Sequence, residues 1–512
     1  KSITLNGNLS VTVANSPTAL TITKTNTLTN ETMSGVTFSL IDSSGNLVAV
    51  TQTGDGAYRC DSGGITAFAT GSNGSAVISL LPIGSYVLRE TPLDGFVTPQ
   101  DVSVSFTGAN SLSVKNQPTA LQLNKADSVT GEPLDGGVFQ ISDGTATINL
   151  IRMNDGVYRK DASGEATFTT SGGKATIYGL TAGVAYVVSE ITAPAGYTKD
   201  ADKTVTVSGS SSTSSPATVT MSDSPMALRF SKNDALTGNP VDGAAFSLYD
   251  GETLIKLRRI EDGVYTPDDD GESTFTTQDG TALIAPLSAG SYLISEEQAA
   301  AGFCVAADVT ATVTEASSSE TPATATMQDA PLALTVKKVD SISKAPIGGA
   351  AFRLFDSKGN VLKVSPILER EGWYGVDENG VSDFTMPASG SATIVYVPQG
   401  GVEVKEVSAA PGYALPAGTV TAVVGSYNTY TSPATVTVEN EPLAVLLDKV
   451  DASDKSPLAN VVFKIKDADS NYLRFALQED GSYHVSADGE DHFKTDSAGK
   501  ALILYIPTGS YK

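Results

Sequence analysis

One short strand recurs five times in this chain, and every copy ends in lysine: ALTITK at Ala19–Lys24, ALQLNK at Ala120–Lys125, ALRFSK at Ala227–Lys232, ALTVKK at Ala333–Lys338 and AVLLDK at Ala444–Lys449. Alternate residues of a β-strand share a face. Leu20, Ile22 and Lys24 therefore point the same way, as do Leu121, Leu123 and Lys125, or Leu228, Phe230 and Lys232. Each ammonium falls on the apolar face, where burial without a partner is costly. Five copies in one register ask for buried partners.

Two further recurrences supply them. The first reads YVLRETPLDGF from Tyr86, YVVSEITAPAGY from Tyr186, YLISEEQAAAGF from Tyr292 and VEVKEVSAAPGY from Val402. The same parity turns Glu90, Glu190, Glu296 and Glu406 inward. The second reads LSVKNQP, VTMSDSP, ATMQDAP and VTVENEP, and puts Asn116, Asp223, Asp329 and Asn440 on the inner face. A proline follows each by two residues (Pro118, Pro225, Pro331, Pro442), and the next lysine follows by nine. Leu9–Pro17 matches this closing strand, with Asn15 nine residues before Lys24.

Lysine recurs every 101 to 111 residues (24, 125, 232, 338, 449), a whole domain rather than a solenoid unit. Within each period the pattern is β: short alternating runs, β-branched and aromatic residues, and Gly/Asn/Asp/Pro punctuation. A hairpin signal recurs at Asp55-Gly56, Asp155-Gly156, Asp262-Gly263, Glu371-Gly372 and Asp480-Gly481, each followed two residues later by tyrosine. Roughly seven short strands per period predict an all-β, Greek-key (Ig-like or prealbumin-like) β-sandwich. The boundaries read 1–17 (closing strands of a preceding repeat), 18–118, 119–225, 226–331 and 332–442 (four repeats), and 443–512 (an incomplete fifth). Lys449 and Asn15 are then left without partners in their own repeats. Prolines at the joints favour a semi-rigid rod.

Three polar side chains on inner faces must satisfy one another. Burial lowers a lysine pKa and raises a carboxyl pKa, so a neutral amine beside a protonated acid becomes accessible. The amine is then a nucleophile, and the acid can polarise the Asn or Asp carbonyl and move protons. The product would be a Lys–Asn or Lys–Asp amide. A buried ionic triad without covalent chemistry satisfies the same residues, and the spacing alone leaves both readings open.

The repeats resemble the B-type domains of Gram-positive collagen adhesins and SpaA-type pilins; YVVSEITAPAGY is similar to the pilin E-box. The resemblance implies spontaneous isopeptide bonds Lys24–Asn116, Lys125–Asp223, Lys232–Asp329 and Lys338–Asn440, assisted by Glu90, Glu190, Glu296 and Glu406 as the catalytic side chains. It implies a secreted structural protein of the bacterial cell wall and surface: the shaft of a pilus or the stalk of an adhesin, self-associating into a filament. The alternative is an adhesin whose repeats themselves bind a host matrix protein or glycan. No pilin lysine motif of the V-Y-P-K type and no LPxTG signal occurs, and Leu415–Thr419 (LPAGT) departs from the latter, so sortase polymerisation lacks sequence support.

A net charge of −24 argues against nucleic acid and anionic membrane as partners. No apolar run reaches the ~18 residues of a transmembrane helix. Two histidines, His484 and His492, cannot build a repeated triad or metal site, so no turnover enzyme, metal or cofactor is expected. Asp268–Glu272 and Asp377–Gly380 read as acidic turns rather than calcium loops. Trp373 reads as core, and Cys60 and Cys304 as inert thiols.

Overall fold

The computed structural model describes Thr4, residues 6–8, Ser10, Thr12 and residues 15–512. Most of the expected closing strand Leu9–Pro17 lies outside the described residues; Asn15 is exposed and in no strand. The chain forms two compact units, one of residues 1–226, 286–289 and 314–321, the other of residues 227–285, 290–313 and 322–512.

The first repeat shows the plan. Its strands are β1 (Ala19–Asn26), β2 (Thr37–Asp42), β3 (Val50–Gly54), β4 (Ala57–Cys60), β5 (Phe68–Ala69), β6 (Ser75–Ser79), β7 (Gly84–Glu90), β8 (Val102–Phe106) and β9 (Ala109–Asn116). They form two sheets, β3-β4-β6-β1-β9 and β5-β2-β7-β8. Leu20, Ile22, Ala76 and Ile78 of one sheet meet Phe38, Leu40, Leu88 and Phe106 of the other in a closed core. Burying each large apolar side chain is worth about 1.5–3 kcal/mol, and the inward alternation of β1, β6 and β7 is what secures it.

Nine strands stand where roughly seven were expected; one of the additional ones, β5, is only two residues long and shows no alternation. The recurrent hairpin tyrosine pins that short strand. Tyr58 Oη donates to Ala69 O (3.0 Å) and accepts from Ala69 N–H (3.1 Å). Tyr158, Tyr265 and Tyr374 donate in the same way to Thr169, Thr276 and Thr385.

The first and last strands of each of repeats 1–4 pair in parallel, and this pairing positions the site. In repeat 1, Lys24 lies opposite Val114 and Asn26 opposite Asn116, so Lys24 and Asn116 are diagonal neighbours on the inner face. The register repeats as Lys125↔Met221 with Asp127↔Asp223, Lys232↔Met327 with Asp234↔Asp329, and Lys338↔Val438 with Asp340↔Asn440. In the other sheet, Glu90 lies opposite Phe38, Glu190 opposite Phe139, Glu296 opposite Phe246 and Glu406 opposite Phe352. A β-bulge precedes the phenylalanine in the last three. The fifth repeat contains a sheet of Ala444–Asp448, Lys500–Leu504, Tyr483–Val485 and Phe475–Leu477, with Val462–Phe463 paired to Phe493–Lys494. Lys449 follows its first strand and is half-buried.

Candidate functional site: four buried Lys, Glu and Asn/Asp triads

The structure brings the predicted side chains together in all four repeats. No member of the four triads is more than 6% exposed. In repeat 1, Lys24 Nζ donates to Glu90 Oε2 (2.6 Å) and to Asn116 Oδ1, while Asn116 Nδ2 donates to Glu90 Oε1 (2.5 Å). In repeat 2, Lys125 Nζ donates to Glu190 Oε2 (2.7 Å) and Asp223 Oδ1. In repeat 3, Lys232 Nζ is 2.9 Å from Glu296 Oε1 and donates to Asp329 Oδ1. Repeat 4 is looser: Lys338 Nζ lies 3.6 Å from Glu406 Oε2 and donates to Val438 O (3.3 Å), and Asn440 Nδ2 donates to Glu406 Oε1 (2.7 Å). A phenylalanine floors three of the sites. Nζ of Lys24, Lys125 and Lys232 lies 5.8, 5.6 and 5.2 Å from the ring centres of Phe38, Phe139 and Phe246.

Charge counting separates the Asn repeats from the Asp repeats. In repeats 1 and 4 one lysine balances one glutamate. In repeats 2 and 3 one lysine faces two carboxyls, leaving a buried net negative charge unless one of them is protonated. Buried Glu190 Oε1 and Asp223 Oδ2 have no donor, and neither does Asp329 Oδ2. A proton held between the carboxyls would satisfy them. Burial, with Asp223 beside it, raises Glu190 to about 7 against the pull of Lys125. Burial likewise raises Asp329 to about 7, with Lys232 opposing. In the Asn repeats burial lowers Lys24 and Lys338 and raises Glu406. Every one of these shifts moves its group toward the uncharged form.

Sequence reasoning passed over a fourth buried group. Asp127, Asp234 and Asp340 stand two residues after their lysines and are buried. One carboxylate oxygen of each caps the turn that follows, as Asp127 Oδ1 accepts from Val129 N–H (2.7 Å) and Thr130 N–H (3.0 Å). The other accepts a phenol: Tyr197 on Asp127 (2.9 Å), Tyr396 on Asp234 (2.6 Å) and Tyr413 on Asp340 (3.1 Å). The signal was present, since Asn or Asp fills this place in all five repeats (Asn26, Asp127, Asp234, Asp340, Asp451).

The remaining candidates are placed as follows. Among the described residues no group of three or more His, Cys, Asp or Glu could hold a metal ion. The Asp268 carboxylate takes Arg258 (2.6 Å) and Asp270 N–H (3.0 Å), and that of Asp377 takes Ser365 (2.7 Å) and Asn379 N–H (2.9 Å). Trp373 is half-buried and carries the Arg370 guanidinium 4.8 Å above its ring. Cys60 and Cys304 are free and half-buried. His484 packs on Tyr505 and His492 is exposed. Among the described residues no helix is long and apolar enough to cross a membrane.

Fold and site together define tandem two-sheet β-domains, four of which gather lysine, glutamate and asparagine or aspartate in the core. The chain belongs to the SpaA prealbumin-like fold domain family, whose model matches residues 18–118, 119–224, 226–329, 333–442 and 444–512. Among solved structures it is similar to the Bacillus anthracis TIE protein (18% identity, 80% of this chain and 69% of that one, TM-score 0.30). It is similar to a streptococcal ancillary pilin (15% identity, 64% and 99%, TM-score 0.28). It is also similar to the shaft pilin SpaA from Lactobacillus rhamnosus GG (18% identity, 42% and 97%, TM-score 0.24). No curated protein matches the chain.

Proposed function

We propose that this chain is a structural segment of a bacterial surface pilus or adhesin stalk, in which repeats 1–4 each close a spontaneous intramolecular isopeptide bond. The observation that carries this reading is the contact of Lys Nζ with the Asn or Asp side chain inside the closed core of repeats 1–3, with a glutamate beside the reacting groups; in repeat 4, Glu406 stands between Lys338 and Asn440. Neutral Lys24 Nζ attacks Cγ of Asn116; the Nζ–Cγ bond forms, the Cγ–Nδ2 bond breaks, and ammonia leaves. In repeats 2 and 3 the C–O bond of Asp223 or Asp329 breaks and water leaves. The glutamate passes the proton from Nζ to the leaving group and ends as it began, so the reaction runs once per repeat. Fixed contact supplies the high effective concentration that an uncatalysed amide synthesis lacks.

The position of the bond decides its mechanical effect. Tension that enters β1 reaches Lys24, crosses to Asn116 at the end of β9 and leaves toward Pro118, so the residues between them carry almost none. Pulling the full chain by its ends in a force spectrometer tests this. Repeats 1–4 should release none of the length held between lysine and Asn/Asp; stepwise release of whole repeats would refute the proposal. The host-binding alternative predicts retention of the chain on matrix proteins or glycans in solid-phase assays, and a pure stalk predicts none.

The raised carboxyls set a pH dependence for repeats 2 and 3. Glu190, at about 7 when folded against 4.5 ordinarily, and Asp329, at about 7 against 3.8, make the folded state bind the extra proton. The stability this gives the unreacted repeat is complete below 4.5 in repeat 2 and below 3.8 in repeat 3, and is lost as pH rises through about 7. The neutral triad needed for attack on Asp223 is lost over the same range. In chains made by cell-free synthesis and quenched at intervals, bond formation in repeat 2 should therefore slow from pH 6 to pH 8. Asp223→Asn should remove that dependence and change the lost molecule from water to ammonia.

A further inference from the structure

We infer that Tyr396 and Tyr505 are latches between repeats: each reaches into the preceding repeat, to the buried carboxylate two residues after that repeat's lysine, fixing the joint. Tyr396, in repeat 4, donates to Asp234 Oδ2 of repeat 3 at 2.6 Å. Tyr505, in repeat 5, stands beside Asp340 of repeat 4 and packs edge-on, 5.6 Å between ring centres, against Tyr413, which itself donates to Asp340 (3.1 Å). Both latches lie within one compact unit.

Three observations converge on this role. Tyr396 and Tyr505 have φ of 61° and 62°, a left-handed conformation that a bulky side chain seldom adopts without cause. Each sits against a glycine of the preceding repeat: a Cβ at Gly302 would fall 2.7 Å from Tyr396 O, and one at Gly412 would fall 2.8 Å from Tyr505 O. The linker backbone closes the same joint, since Leu332 N–H donates to Gly302 O (2.8 Å) and Val397 N–H to Leu332 O (3.2 Å). The final Gly-Phe or Gly-Tyr of the glutamate stretch is thereby a docking surface for the next repeat.

The joint between repeats 1 and 2 has the same backbone contacts without the latch. Thr119 N–H donates to Gly95 O (3.0 Å) and Gly179 N–H to Thr119 O (3.1 Å). Here glycine (φ 80°) occupies the tyrosine place and Asn26 the carboxylate place. A Cβ at Gly179 would meet nothing nearer than 3.9 Å, so the space is open and a tyrosine there would take the same strained left-handed φ as Tyr396 and Tyr505.

Amide hydrogen exchange on the full chain tests the inference. Tyr396→Phe should speed exchange of the Leu332 and Val397 amides roughly 10-fold or more, as expected for losing a hydrogen bond to a charged group. Amides of the central strand Ser391–Val395 should be unchanged. Asn26→Asp combined with Gly179→Tyr should slow exchange of the Thr119 amide by a similar factor. Unchanged joint amides in Tyr396→Phe would overturn the proposal. Acceleration throughout repeat 4 would also overturn it, by showing that Tyr396 serves its own repeat's fold.

Discussion

Glu190→Ala is expected to leave Lys125 and Asp223 unjoined, and the variant is then one water heavier than its own sequence would be with all four bonds closed. Glu190 contacts the lysine at 2.7 Å, and its carboxyl is poised at about 7. Removing a positioned general acid–base group costs about 10²–10⁴ in rate. It also leaves Asp223 with Lys125 as an ion pair, which keeps the amine protonated and non-nucleophilic. Peptide mapping should lose the branched peptide joining Lys125 to Asp223 and retain those of the other three repeats. A branched peptide formed to the usual extent would remove glutamate from the mechanism.

The second large effect is on stability. Glu296→Gln is close to isosteric and leaves Lys232 and Asp329 as a charge-balanced pair, so the comparison isolates the missing bond. The proposed bond would close a loop across 97 positions, and by the chain-entropy argument made for disulfides a loop of that size is worth about 5 kcal/mol. For a domain of this size, that displaces the unfolding midpoint by roughly 20–40 °C. Calorimetry of the full chain should show one transition moving down by this amount while those of repeats 1, 2 and 4 stay in place. An unmoved transition would leave the triads as buried ion pairs with no covalent role.

The triads were legible because a period of two leaves no freedom. Once Leu20 and Ile22 face the core, so does Lys24, and the same logic turns Glu90 and Asn116 inward. Burial of all three bears out that parity. Periodicity says nothing about which strands are neighbours, so the parallel pairing of β1 with β9, which makes Lys24 and Asn116 diagonal neighbours, was not readable. The phenylalanine floor was hidden for the same reason, since Phe38 meets Lys24 across the core from the other sheet. Asp234 and Tyr396 stand 162 positions apart in different repeats, and reading each repeat against the others aligns them without bringing them together. Strand β5, two residues long, carries too little pattern to be seen.

Intact mass under denaturing, reducing conditions addresses the central claim most directly. Four closed bonds predict a chain lighter than its sequence by two ammonias, from Asn116 and Asn440, and two waters, from Asp223 and Asp329. A mass equal to that of the sequence would contradict the account and leave four buried, unreacted triads.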